Sequence, residues 1–485
     1  MLDEDLILKL RTAGGRLMNQ DPKLKKYTLI TVMVASFTTP FMGSAINLAI
    51  PSIGREFNST ALLLSWVVSS YLLSSAAFLL PFGRLADMQG RKKVFTLGIM
   101  IFSFSSLLCG FAWSIQALIG LRILQGIGSA MTFGTGMAIL TSVYPPQERG
   151  RVLGINVATV YTGLSLGPVL GGAMNQHLGW ESIFFLNAVI GLSALVFAFR
   201  IKGEWAGARG ESFDITGTIL YMAGLVAFLY AFSSIATSDL AKYLLVLGLA
   251  LLVLFVRHEM KTSQPLIDIK LFSQNITFAM SNLAALINYS ATFAVTFLLS
   301  LVLQVVMGFS SSAAGMILLA QPVMMALLSP FAGALSDRVQ PRIVSSLGMS
   351  LSALGLFLLS FVVKETPVWL IMGNLMLLGT GFALFSSPNM NSIMGSVDKR
   401  FYGVASSTSG TMRLIGQAVS VAIATMIIGL YVGSAQLTPA VAEQLQKSAN
   451  VAFIVFAVTC VGGVFASLAR GDINPDTRQP KSRQG

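Results

Sequence analysis

Two arginines lie inside otherwise apolar stretches of this chain, and each has a glutamine about one helical turn further on. Arg122 precedes Gln125, and Arg413 precedes Gln417. A guanidinium keeps its proton, so in an apolar layer it must meet carbonyl groups, water or an anion. Arg122 and Gln125 could therefore meet an anionic group, or Arg122 could brace a backbone carbonyl. Arg413 could do the same or reach the edge of the apolar layer.

The chain does not show the residue patterns of enzymes. It has no glycine-rich phosphate loop with a lysine, no metal-ligand cluster of His and Cys, and no Ser-His pairing. We therefore predict no enzymatic activity, no cofactor and no metal. The two cysteines, Cys109 and Cys460, fall in apolar segments and are expected to fill helices rather than form a disulfide.

The composition requires that lipid surrounds most of the chain. Hydrophobic residues make up 54% of the 485, charged residues 11%, and the mean hydropathy is +0.75. A helix needs roughly 20 apolar residues to cross a bilayer, because only a continuous helix pairs its backbone groups internally. We predict an all-α membrane protein with fourteen spans, at 28–50, 61–83, 93–113, 115–139, 152–175, 181–200, 215–236, 240–257, 275–302, 311–335, 342–363, 367–388, 404–431 and 450–469.

The basic charge of the chain falls mostly on one side of these predicted spans. With both termini in the cytoplasm, 26 of the 32 lysines and arginines lie in cytoplasmic tails and loops. The outer loops hold only four, which are Arg55, Lys242, Lys364 and Lys447. This asymmetry follows the positive-inside rule and explains the net charge of +12 without a nucleic-acid partner. Residues 1–26 do not resemble a cleavable signal, so the first span is expected to direct its own insertion.

A short polar segment occurs twice and indicates a duplication. The first copy holds Gly83, Asp87, Gly90 and Arg91; the looser second copy holds Gly333, Asp337 and Arg338. The offset of 250 residues exceeds that of a twelve-helix duplication by about two helices, at about 30 residues for a helix and its loop. We therefore predict two bundles of six helices with two inserted helices, organised as an N-terminal segment 1–27, a bundle 28–200, an insertion 201–273, a bundle 274–470 and a polar tail 471–485.

Smaller features of the loops also give predictions. The charged linkers 202–214 and 257–270 are expected to form short amphipathic pieces on the cytoplasmic face. Thr438-Pro439 is typical of a helix cap and first-turn proline, so a short surface helix is predicted over 440–446. His177 and His258 are expected at the membrane interfaces rather than in a proton relay.

Five motifs give the chain a family resemblance. They are Asn47-Leu-Ala-Ile-Pro51, Arg122-Ile-Leu-Gln125-Gly126-Ile-Gly128, Gly163-Leu-Ser-Leu-Gly167-Pro168-Val-Leu-Gly171-Gly172, Pro265-Leu-Ile-Asp268 and Ser387-Pro388-Asn389. Together with the Asp87 segment, their order and spacing over about 28–470 resemble the major facilitator superfamily. Fourteen helices are similar to its multidrug branch, the drug:proton antiporters. The resemblance implies a monomeric exporter of small molecules in the plasma membrane, driven by a proton gradient.

The resemblance also implies roles for the motifs. Asp87 and Arg91 would form a latch on the cytoplasmic side, with Asp337 and Arg338 as a weaker copy, or these residues would only anchor turns at the lipid headgroups. The small residues of 163–172 predict a smooth helix face for close packing, and Pro168 permits a bend. In the family this face is associated with antiport. Arg122 would serve proton coupling or a substrate anion.

One departure from the family pattern changes the expected substrate. Drug exporters of this branch carry an aspartate five residues before the asparagine of the first helix, where this chain has Met42. All 20 acidic residues fall in tails, loops or helix ends, so the usual proton-binding carboxylate at mid-membrane is missing. We expect neutral, amphipathic or anionic substrates rather than permanent cations, and expect Met42→Asp to favour monovalent cations. Glu181 or Asp214, near helix ends, could supply a peripheral proton site.

Polar, aromatic and methionine side chains on the predicted spans are candidates to line a substrate cavity, although each could instead pack or contact lipid. These candidates are Asn47, Trp66, Tyr71, Tyr161, Tyr289, Phe293, Gln304, Gln321, Met325 and Asn389. Two other classes of function stay open. The missing carboxylate fits an uncoupled facilitator or a carrier of lipid-like molecules, and a membrane scaffold or receptor could keep the fold without transport.

Overall fold

The computed structural model describes residues 22–208, 210–235, 238–397 and 402–471. Within these ranges the chain is helical, and the only strand-like pairing is one isolated bridge between Thr60 and Gln436. Fourteen of the described helical segments are long and apolar enough to cross a membrane. The predicted all-α class with fourteen spans is therefore confirmed. Most of the predicted N-terminal segment and almost all of the polar tail lie outside the described residues.

The first six helices form the N-terminal bundle. Polar residues begin several of them, as where the Thr60 and Ser114 side chains accept hydrogen bonds from backbone N–H groups of the first turn. The helices are α1 Pro22–Glu56, α2 Ala61–Gln89, α3 Arg91–Cys109, α4 Ile115–Val143, α5 Pro146–Leu178 and α6 Glu181–Arg200.

Two further helices form a hairpin between the bundles, and the remaining helices form the C-terminal bundle. The hairpin consists of α7 Ile215–Ser234 and α8 Leu240–Glu259. The C-terminal bundle consists of α9 Ile269–Gln274, α10 Ile276–Thr292, α11 Val295–Leu301, a π turn Val302–Val306, α12 Ser311–Leu318, α13 Ala320–Arg338, α14 Pro341–Leu359, α15 Val368–Gly395, α16 Tyr402–Tyr431, a 3₁₀ turn Pro439–Val441 and α17 Ala442–Leu468.

Because the spans alternate in direction, the molecule has two ends. We call the end at which α1 begins and α2 finishes the Asp87 side, and the end at which α1 and α5 finish the Asn175 side. The six predicted helices of each bundle and the inserted pair all connect these two sides.

Three local predictions are corrected by the structure. The Asp87 segment was expected to be a loop, but α2 continues through Gln89 and only Gly90, with a φ of 126°, separates it from α3. The expected surface helix at 440–446 is not separate, because its residues continue directly into α17. The described part of linker 202–214 is not helical; in linker 257–270 only the end of α8 and the start of α9 are helical.

The ninth predicted span is interrupted rather than continuous. Its helix breaks after Thr292, resumes as α11, and continues beyond the predicted end as the π turn Val302–Val306. At the break, the backbone N–H of Ala294 donates to Oγ of Ser420 at 3.0 Å. A side chain of α16 thus satisfies a backbone group that would otherwise lack a partner within the bilayer.

The two bundles meet through polar contacts on the Asn175 side. Nδ2 of Asn175 donates to Oγ of Ser311 at 2.6 Å, and Oγ of Ser300 donates to the carbonyl of Asn47 at 2.7 Å. Nε2 of Gln304 donates to the carbonyl of Leu48 at 3.2 Å. These bonds cross from one bundle to the other and close this side of the molecule.

The hairpin packs against both bundles. Its helix α7 contacts α2 of the N-terminal bundle and α16 of the C-terminal bundle. The hydroxyl of Tyr221 donates to the carbonyl of Ala76 at 2.8 Å, and the ring centroids of Trp66 and Tyr230 are 5.3 Å apart. The hairpin therefore covers one of the seams between the bundles.

Candidate substrate cavity

A cavity of about 180 Å³ lies between the bundles, next to the closed layer on the Asn175 side. Its walls come from α1, α2, α4 and α5 on one side and from α10 to α13, α15 and α16 on the other. The predicted residues that line it are Asn47, Tyr71, Arg122, Pro168, Tyr289, Phe293, Gln321, Met325 and Arg413. The structure thus brings together many residues that the sequence places on seven separate spans.

Arg122 is fully buried and held by the N-terminal bundle. Its Nε donates to the carbonyl of Val67 at 2.9 Å, and its Nη1 donates to Oε1 of Gln125. The guanidinium carbon lies 4.3 Å from the ring centroid of Tyr71, close enough for a cation–π interaction. Arg122 therefore braces a backbone carbonyl and also borders the cavity, and its role toward a proton or an anion stays a prediction.

Gln125 links Arg122 to a neighbouring helix outside the cavity wall. Its Nε2 donates to Oγ of Ser106 on α3 at 2.6 Å, and its side chain is buried. The hydroxyl of Tyr71 in turn donates to Oγ of Ser129 at 2.8 Å. Arg122 thereby ties α2, α3 and α4 together, and its remaining Nη2 has no hydrogen-bond partner among the described residues.

Arg413 stands in a different environment on the opposite wall. Its guanidinium carbon lies 5.7 Å from the ring centroid of Phe133 and 5.5 Å from that of Tyr289. Its side chain is only partly buried, and its Nε has no hydrogen-bond partner among the described residues. Aromatic faces from both bundles thus flank a partly buried cation in the cavity wall.

The charges of the cavity wall all have one sign. Among the described residues, Arg122 and Arg413 line it, and none of the lining residues is an aspartate or glutamate. Met42 is completely buried and does not line the cavity, whereas its neighbour Gly43 does. A Cβ added to Gly43 would meet no atom within 4 Å. The position equivalent to the family's aspartate therefore faces the packed interior in this structure.

Four predicted cavity residues lie elsewhere. Trp66 packs against Tyr230 of the hairpin, and Gln304 belongs to the closed layer on the Asn175 side. Asn389 is buried in α15, with no hydrogen-bond partner for its Oδ1 among the described residues, and Tyr161 of α5 is partly buried outside the lining.

Sequence reasoning missed two lining residues that shape the site. Phe133 faces Arg413, and Phe382 packs edge-on against Tyr289 at 5.5 Å. Phe133 lies eleven residues, about three helical turns, after Arg122 on the same helix. That spacing was the available signal for it, whereas no spacing in the sequence pairs Phe382 with Tyr289.

The residues predicted to form a latch contact one another within the N-terminal bundle. Nε of Arg91 donates to Oδ1 of Asp87 at 2.7 Å, and Nη1 of Arg91 donates to Oγ of Ser142 at 2.9 Å. Gly90 provides the turn, and a Cβ there would overlap Glu204. A Cβ on Gly83 would meet nothing within 4 Å, so close packing does not explain that glycine.

In the second copy of the latch segment, Gly333, Asp337 and Arg338 all lie in α13. A Cβ on Gly333 would approach Oγ of Ser387 to 2.9 Å, and Arg338 is exposed. The Asp337 side chain is outside the described part of the structure.

The small residues of α5 pack closely, as the sequence suggests. A Cβ on Gly163 would lie 2.7 Å from the carbonyl oxygen of Phe37, and one on Gly171 would lie 2.6 Å from Cβ of Ala45. Gly167 likewise faces Ser44 without room for a side chain, and Gly172 abuts the carbonyl of Ser311 in the C-terminal bundle. The helix therefore contacts α1 along one face and α12 near its end.

The sequence model of the Major Facilitator Superfamily, a family of proteins, matches residues 32–258 and 282–485 of this chain. The chain belongs to this superfamily. A riboflavin transporter, RibZ, of Clostridioides difficile (strain 630) is 32% identical over 401 residues, which cover 82% of this chain and 87% of RibZ. The multidrug resistance protein Stp of Mycobacterium tuberculosis (strain ATCC 25618 / H37Rv) is 30% identical over 441 residues, covering 88% of this chain and 81% of Stp.

Solved structures show the same superfamily fold. A bacterial homologue of the human lysosomal transporter Spinster superposes with a TM-score of 0.66 at 16% identity, covering 92% of this chain and 96% of that one. Membership of the superfamily and the fourteen candidate spans identify the protein as a multi-pass membrane transporter and not an enzyme.

Proposed function

We propose that this protein is a proton-coupled exporter of small amphipathic compounds that are neutral or anionic. In this proposal it acts as a monomer in the plasma membrane, with both termini in the cytoplasm. The proposed substrate class is inferred from the charge of the cavity wall, which holds two arginines and, among its lining residues, no carboxylate. With that orientation, the structure is closed to the outside by the layer on the Asn175 side.

Charge outweighs shape as the basis for selecting such substrates. Two unit charges about 4 Å apart interact by about 4 kcal/mol at an effective dielectric near 20. A carboxylate beside Arg413 gains this energy before the cost of its desolvation, whereas a permanent cation loses it. A neutral planar compound gains instead from the aromatic faces of Phe133, Tyr289 and Phe382. The relative named a riboflavin transporter supports a planar neutral substrate.

The two arginines take different roles in this proposal. Arg413 contacts the substrate, because it is only partly buried and keeps free hydrogen-bonding capacity. Arg122 acts as a positioning residue, since it is fully buried and its Nε and Nη1 already donate to Val67 and Gln125. We expect Arg413→Gln to weaken binding of an aromatic carboxylate by about 10- to 150-fold, from the loss of roughly 1.5–3 kcal/mol for a charged hydrogen bond. Binding of the matching carboxamide should change little.

The deciding experiment uses proteoliposomes with an imposed pH gradient and fluorescent compounds of positive, neutral and negative charge. We expect gradient-driven movement of the neutral and negative compounds and poor movement of the positive ones. Movement at the same rate with and without the pH gradient would indicate an uncoupled facilitator. No movement of any compound would favour a scaffold or receptor. Good export of a permanent dication that is unchanged in Arg413→Gln would contradict the electrostatic basis of the proposal.

A further inference from the structure

One carboxyl group on the Asp87 side is buried with a hydrogen-bond partner for only one of its two oxygens among the described residues. Glu259, the last residue of α8, is only 2% exposed. Its Oε2 accepts a hydrogen bond from the backbone N–H of Ile267 at 3.2 Å, while its Oε1 has no hydrogen-bond partner among the described residues. An ionised carboxylate in such a place would be strongly disfavoured, so the group needs either a cation or a proton.

A second carboxyl group lies directly beside it. Asp214 caps α7, and its Oδ1 accepts from the backbone N–H of Gly217 at 2.8 Å. Nε2 of His258 is 3.0 Å from both Asp214 oxygens. Burial alone would raise the pKa of Asp214, but the hydrogen bonds from Gly217 and His258 outweigh it and hold the pKa below its ordinary value. Asp214 therefore carries the negative charge of the cluster.

One oxygen of each carboxyl group lies beside the same point of α7. A Cβ built on Gly217 would overlap both Oδ2 of Asp214 and Oε1 of Glu259, so these two oxygens flank a single point beside α7. Two carboxylates this close repel each other when both are ionised, and one proton between them removes the repulsion.

We propose that Asp214 and Glu259 share one bound proton and form a proton-binding site in the inserted hairpin, outside the substrate cavity. Glu259 carries the proton and donates it in a hydrogen bond to the Asp214 carboxylate. On release the proton passes to water on the Asp87 side, and two adjacent carboxylates remain. This site supplies a titratable group to a transporter whose described cavity wall has no acidic residue.

The charged side chains on the helices around α7 lie in environments other than that of Asp214 and Glu259. The helices packed against α7 are α2, α8 and α16. Arg84 of α2 is paired with Glu211, Arg257 of α8 is exposed, and Arg413 of α16 lines the cavity. His258, on α8, contacts the pair through the two oxygens of Asp214.

The position of the pair links protonation to both bundles. It joins the ends of α7 and α8 and, through Ile267, the linker that enters the C-terminal bundle. Because α7 contacts α2 and α16, repulsion after proton release would act on the element that bridges the seam. The proton would then favour one arrangement of the bundles over another.

Infrared difference spectroscopy of the purified protein in nanodiscs tests this site without any substrate. The C=O band of a protonated carboxylic acid should be present at neutral pH and disappear at higher pH. Glu259→Gln should remove it while keeping an N–H donor toward Asp214. Asp214→Asn should make the band disappear at a lower pH, because the neighbouring negative charge is gone. A purely structural role of Asp214 would not move that titration.

Asp239→Asn is the matched control, because Asp239 is an exposed carboxylate at the other end of the same hairpin. That variant should leave the band unchanged. A wild-type protein without a titrating acid band, or a band that survives Glu259→Gln, overturns the proposal. Failure of gradient-driven export with the band intact would instead refute only the proposed function.

Discussion

Gly172 offers a direct way to open the closed side of the molecule. It abuts the carbonyl of Ser311, the first residue of α12, and a Cβ there would overlap that oxygen and lie 3.0 Å from the carbonyl carbon. Gly172→Ala must therefore push α5 and α12 apart on the Asn175 side. Over-packing of a tight interface costs about 1–3 kcal/mol. A cost of that size, borne only by the closed state, shifts the equilibrium toward opening by about 5- to 150-fold.

Pulsed electron resonance can measure this shift as a distance. Spin labels at Leu178 and Lys364, exposed residues on the Asn175 side of the two bundles, should report a longer distance in Gly172→Ala. The native cysteines, Cys109 and Cys460, are both buried. Gly154→Ala is the control on the same helix, since a Cβ there meets nothing within 4 Å. Equal distance distributions in the two variants would refute the packing argument.

Three further outcomes are expected. Met42→Asp should destabilise the protein by about 3–5 kcal/mol, because it buries an unpaired carboxylate, and a lower melting temperature would show this. The carboxylate of Gly43→Asp would instead enter the cavity, and that variant should bind monovalent cations in a flux or binding assay. Asp87→Asn should slow transport while leaving equilibrium ligand binding within about a few-fold, since Asp87 pairs with Arg91 away from the cavity; lost binding with normal turnover would exclude a latch. A membrane-impermeant thiol reagent applied to intact cells should label a cysteine at Ser434 but not one at Trp205, and labelling of Trp205→Cys would reverse the proposed topology.

The sequence predicts the spans well because lipid imposes one simple requirement on every helix. Apolar length therefore identified all fourteen candidates, even where ends moved by several residues, as in α1. It could not show that α2 continues through Asp87, because a polar helix end and a polar loop have similar composition. Nor could it show the break after Thr292, which depends on Ser420 from a distant helix.

The candidate site was only partly predictable for a related reason. Residue type marked Arg122 and Arg413, since charge in an apolar span is conspicuous. Rotation of each helix, which decides whether Trp66 or Phe133 meets the cavity, depends on packing between helices and is not encoded in hydrophobic length. The burial of Glu259 was likewise hidden, because its position at a helix end suggested contact with water.

The hairpin also makes the two seams between the bundles unequal toward the lipid. Helix α7 contacts both α2 and α16 and covers the seam where those two helices pack against each other. At the other seam, α5 meets α12 and α13 directly, without an inserted helix between them. Acyl chains therefore meet the hairpin at one seam and the helices of the bundles themselves at the other.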